Sequence, residues 1–177
     1  MIVDLESGQE IKISAAIKAL QVHGKSTILA VLAKLLLTDL SHKSRGEVME
    51  FLSTLNDSSA IEKMVEIVKD SQFSSIRQEL LTTIWNSKLD YSYYVAEFVE
   101  IAVDAHFLEA LDCLTIMENM EGPFQERHLL EAQLHLKDYL ENQEPKDEQK
   151  AKIMSEIALL LKDLTTEDDF DLSEFNS

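Results

Sequence analysis

Apolar residues recur at spacings of three and four along almost the whole of this chain, and that pattern leaves few choices of fold. Ile13, Ala16, Ile17 and Leu20 fall on one face of a helix. Ile61, Met64, Val65 and Val68 do the same, and so do Ile76, Leu80, Leu81 and Ile84. No alternating strand-like pattern of useful length interrupts them. Only 4 glycines and 2 prolines occur in 177 residues, so little in the sequence breaks a helix. The spacing predicts nine helices, over about 9–22, 26–38, 45–55, 58–69, 74–86, 90–104, 107–119, 124–142 and 146–164. The second is apolar nearly all round (Ile28, Leu29, Val31, Leu32, Leu35, Leu36), which makes it central. Glu121-Gly122-Pro123 is the clearest break. The expected class is all-α, with a single domain over residues 1–164 and an acidic, unstructured tail over 165–177.

Short connections between helices make antiparallel neighbours, and successive hairpins share sequence features. Val65-Glu66-Ile67-Val68-Lys69-Asp70 returns as Val99-Glu100-Ile101-Ala102-Val103-Asp104, and Arg45 with Val48, Met49 and Leu52 returns as Arg77 with Leu80, Leu81 and Ile84. Both matches imply hairpins of roughly 32–34 residues, within the range of helical repeats. The stretch from Asp57 through Ile76-Arg77 to Ile84 resembles a HEAT repeat, in which a turn residue opens the first helix and a β-branched residue followed by Arg opens the second. Ser44-Arg45 keeps the Arg without the apolar residue before it, and the third hairpin has Phe107 or Glu109 in that region. The resemblance spans about residues 25–120. It implies an α-α superhelix of about three HEAT-like hairpins plus capping helices, with a surface for a protein or peptide. An irregular helical bundle is the alternative.

Charge narrows the function further. The net charge is −17 and is unevenly placed: residues 1–56 carry six basic and six acidic side chains, whereas 57–177 carry 10 and 27. Nucleic-acid binding rests on Lys and Arg neutralising phosphates, and an excess of carboxylates repels both a polyanion and an anionic membrane. A basic protein or peptide is the expected partner, with no nucleic acid and no membrane. A structural subunit of a larger assembly is the alternative, and an enzyme or lyase-like accessory protein ranks below both. One cysteine, Cys113, sits in an apolar helical pattern and is expected to be buried. No basic and apolar leader is visible at the start, and a cytoplasmic location is expected.

Few residues suggest chemistry. Gly24-Lys25-Ser26 resembles the end of a phosphate loop, but Ala19 stands where the earlier glycine belongs and a helix precedes it, so a helix-helix turn capped by Ser26 is expected. His128, Glu131 and His135 share a helical face at spacings compatible with a divalent metal, yet no second ligand pair accompanies them, and a solvated face is the expectation. No catalytic, cofactor or metal residue is therefore assigned. Trp85, Tyr91, Tyr93, Tyr94 and Phe98 crowd one region, and since Tyr93 and Tyr94 are adjacent they cannot all face one core. The candidate partner-binding residues are Trp85, Tyr91, Tyr93, Tyr94, Glu97, Glu100 and Asp104, with an exposed tyrosine as the leading contact. The tail motif Asp168-Asp169-Phe170-Asp171-Leu172, with Phe175, mixes acid and apolar anchors in the manner of a short docking motif.

Overall fold

The computed structural model describes residues 2–5, 9–23, 28–142 and 147–170. Among these there are ten α-helices and no strand, so the chain is all-α. It divides into two compact units, Met1–Leu89 and Asp90–Ser177.

The first unit contains α1 (Ile2–Leu5), α2 (Glu10–His23), α3 (Leu29–Leu36), α4 (His42–Ser53), α5 (Ile61–Lys69) and α6 (Arg77–Asn86). Each helix packs on its successor in the pairs α1–α2, α3–α4 and α5–α6. Next-neighbours pack as well, in the pairs α1–α3, α3–α5, α2–α4 and α4–α6, which places α1, α3 and α5 in one row and α2, α4 and α6 in another. The apolar stripes read from the sequence supply the filling. Ile13, Leu20, Leu29, Leu32, Leu36, Val48, Leu52, Met64, Val68, Leu80, Leu81 and Ile84 are all buried.

Local chemistry sets the helix ends. Ser41 caps α4 by accepting from the Ser44 amide at 3.2 Å, so α4 starts at His42 rather than near Arg45. Asp57 and Asp70 accept from the Ser59 and Gln72 amides, each at 2.9 Å, and open short 3₁₀ turns before α5 and α6. The same backbone bonding at Gln72, with the Gln72 side chain adding to it, holds the Asp70 carboxyl below its ordinary value. The phosphate-loop remnant at 24–27, and with it the Ser26 cap, lies outside the described residues.

The second unit contains α7 (Val95–Asp104), α8 (Phe107–Glu118), α9 (Glu126–Glu141) and α10 (Glu148–Phe170). Packing again joins neighbours (α7–α8, α9–α10) and next-neighbours (α7–α9, α8–α10). α7 is the centre: Val95, Ala96, Phe98, Val99, Ile101 and Ala102 are buried, as is Cys113 on α8, matching the expectation for that thiol. α10 continues to Phe170, past the Leu164 boundary read from the sequence. Thr165 belongs to the helix, its hydroxyl donating to the Leu161 carbonyl and accepting from Gln133 of α9. Residues 171–177, with Asp171, Leu172 and Phe175 of the tail motif, lie outside the described residues.

Candidate functional site

The division into units sharpens the charge asymmetry. Residues 1–89 hold 10 basic and 11 acidic side chains, while 90–177 hold 6 and 22, so net charges of −1 and −16 fall either side of the boundary. A field of this size attracts cationic surfaces over about a Debye length, ~8–10 Å at ordinary salt.

The entrance to α7 is built by a chain of polar contacts. Asp90 accepts from the Ser92 amide at 3.1 Å and from the Ser92 hydroxyl. Ser92 Oγ in turn accepts from the Gly122 amide at 2.8 Å. Gly122 has φ +79°, a left-handed conformation open to glycine, and a Cβ there would meet the Phe124 ring at 3.3 Å. The α8–α9 loop is thereby tied to the 3₁₀ turn Ser92–Tyr94 that leads into α7, and the start of α9 is brought beside Tyr93. The Tyr93 ring meets His128 edge to face at 4.4 Å, its hydroxyl accepts from Arg127 Nη2 at 2.6 Å, and it leans on Tyr94 at 5.3 Å. Arg127 Nε also donates to Gln125 Oε1 at 3.0 Å.

The aromatic candidates separate. Tyr91 and Phe98 pack edge to face at 5.7 Å, and both are buried, so they belong to the core. Tyr93 is 48% exposed and Tyr94 half-buried. Trp85 belongs to the first unit, on α6, and is 38% exposed. Glu97, Glu100 and Asp104 sit at helical spacing on α7: the first two are half-buried and Asp104 is exposed. Asp104 has a counter-charge in Lys150 of α10, whose ammonium donates to the Val103 carbonyl at the end of α7. Burial holds Lys150 below its ordinary value, and Asp104, Asp147 and Glu109 oppose that shift.

His128, Glu131 and His135 do not form a common site. His128 is buried against Tyr93, Glu131 is exposed, and among the described residues no three His, Cys, Asp or Glu side chains are placed to hold a metal ion. Within the first unit a cleft of about 530 Å³ lies between α2 and the α3–α4 turn. It has an apolar floor (Leu5, Ile13, Leu35) and a rim that includes Glu10, Lys34 and Asp39, and its Ser41 and Ser44 hydroxyls are engaged with each other at the α4 cap. No described helix is long and apolar enough to cross a membrane.

Sequence reasoning missed Leu130 and Leu134 on α9, which are 52% and 60% exposed. The signal was present: Leu129, Ala132 and Leu136 already supply one buried face, so the other two leucines are surplus to it. The chain matches no protein-family model, and no curated protein or solved structure is significantly similar to it.

Proposed function

We propose that this chain is a protein-interaction module, a stack of HEAT-like hairpins that takes a basic protein or peptide on its acidic second unit. The observation that carries the reading is the coincidence of the charge boundary with the boundary between units, −1 against −16. The next-neighbour packing of helices supports the stacked-hairpin part, because hairpins that cannot bury their apolar faces alone stack in this way. So does the shared role of two arginines. Arg45 donates to the Leu36 carbonyl and Arg77 to the Val68 carbonyl, each nine residues back at the end of the preceding helix. Exposed Tyr93, with Glu97, Glu100 and Asp104, is the contact set, while Tyr91 is buried against Phe98 and lies outside it. Trp85 is a separate contact on the first unit. The same field disfavours nucleic acid and anionic membranes.

The test is affinity capture from the native host at about 50 mM and about 500 mM salt, where the screening length falls roughly threefold. The bait is either the chain itself or Glu97→Lys/Glu100→Lys/Asp104→Lys. A basic partner held at low salt, and lost both at high salt and with the charge-reversed bait, is the expected result. Partners indifferent to salt and to charge reversal would remove the electrostatic part.

A second reading, a structural subunit of a larger assembly, draws on Ile11 and Val3 of the first unit, which are 86% and 78% exposed. It predicts that the isolated chain self-associates, or copurifies stoichiometrically with a partner that survives high salt.

A further inference from the structure

We infer that the outer face of α9 seats an amphipathic basic helix of the partner, with Leu130 and Leu134 as its apolar anchor points. This rests on the reading of the acidic unit as the partner-binding one, and adds to it a place and a shape. α9 has two apolar faces. Leu129, Ala132 and Leu136 fill the core against its neighbours, while Leu130 and Leu134, one turn apart, stand in solvent. A helix that presents leucines on the side away from its own core has a second surface to pack.

The charges around this pair choose the occupant. Glu126, Glu131 and Asp138 are exposed on the same helix, and none of them forms an ion pair with a described residue. The helix has two full cations, and both are engaged. Arg127 is held by Tyr93 and Gln125, and Lys137 pairs with Glu141 at 3.7 Å. The leucines are therefore rimmed by uncommitted carboxylate. A second copy of this chain would bring the same leucines together with 22 acidic against 6 basic residues of the same unit, and the two surfaces would repel. A helix with apolar residues at i and i+4 and Lys or Arg on its flanks satisfies both features at once, in the manner of helix-on-helix recognition.

The experiment uses the full chain and three fluorescein-labelled synthetic peptides of about 14 residues, four helical turns. One is an amphipathic Leu/Lys helix, the second keeps its lysines with Gln in place of Leu, and the third keeps its leucines with Glu in place of Lys. Fluorescence anisotropy at low salt is the readout. The Leu/Lys helix is expected to bind and the Leu/Glu helix not to. Leu130→Gln/Leu134→Gln should weaken the Leu/Lys complex by roughly tenfold or more, as loss of a central apolar anchor does. Leu159→Gln, at a leucine of α10 that is 55% exposed, should leave binding unchanged. Circular dichroism and a melting curve establish that both variants are folded.

Equal binding of the two lysine peptides, untouched by the α9 substitutions, overturns the helix seat but leaves the acidic unit as a cation-binding surface. Failure of both lysine peptides overturns the seat and the electrostatic reading together. Binding of the Leu/Glu helix, or leucine-dependent self-association of the chain on gel filtration, overturns the choice of a basic occupant.

Discussion

Replacing Arg45 with Met tests how the first unit is held together, because that one side chain does two separable jobs. Its guanidinium donates to both Glu79 oxygens, through Nε at 2.9 Å and Nη2 at 2.8 Å, and its third contact is the Leu36 carbonyl at 3.0 Å. The Glu79 carboxylate holds Arg45 above its ordinary value. The pair is about a third exposed, so solvent screening limits the two-pronged bridge to about 0.5–1 kcal/mol. The carbonyl at the end of α3 has no intrahelical donor, and losing its cap costs about 1 kcal/mol more. Met keeps the apolar stem, so Arg45→Met should lower the stability of the first unit by about 1.5–2 kcal/mol. At a urea slope of about 1 kcal/mol per molar, the midpoint falls by about 1.5–2 M. The single tryptophan, Trp85 on α6, lies in this unit, and its fluorescence reports the transition directly. Glu79→Gln removes the bridge but leaves the cap, and should cost only the smaller part. The double variant should recover a coupling of about 0.5–1 kcal/mol. If Arg45→Met proves no more costly than Glu79→Gln, the capping role is refuted.

Two further outcomes concern the second unit. Phe98 is fully buried at its centre, so Phe98→Ala should cost about 3–5 kcal/mol, measured as a lowered urea or thermal midpoint by circular dichroism, and a loss under about 1 kcal/mol would contradict the central place of α7. Lys150, held below 10.5 chiefly by burial, binds fewer protons in the folded chain than in the unfolded one within the window below that value. Its contribution to stability therefore rises as pH climbs through the window, and below it the charged group carries a burial cost. The stability of the chain relative to Lys150→Met should shift in favour of the native lysine between neutral pH and about pH 10, and a difference flat with pH would contradict the partly buried ammonium.

What could be read in advance, and what could not, follows from the range of each interaction. The buried stripes of α2, α5 and α6 were legible because periodicity is local, and Cys113 followed from the same rule. The recurrence of Arg45 as Arg77 was legible in the sequence, but its job was not, because the acceptors are backbone carbonyls without a sequence signature. In the second unit the corresponding helix end, at Val103, is met by Lys150 from a point 47 residues on, which no short-range pattern could have supplied. The tyrosines show a finer limit. That they could not share one face was clear, but which of them sank depended on the 3₁₀ turn Ser92–Tyr94, whose three residues per turn shift the register set by α7. That turn leaves Tyr91 beneath Phe98 and turns Tyr93 outward onto His128 and Arg127. The second apolar face of α9 was hidden for the opposite reason. Leucines look alike in a sequence whichever side they occupy, and only the packing of α7 against α9 decides that Leu129 and Leu136 are core while Leu130 and Leu134 are left exposed.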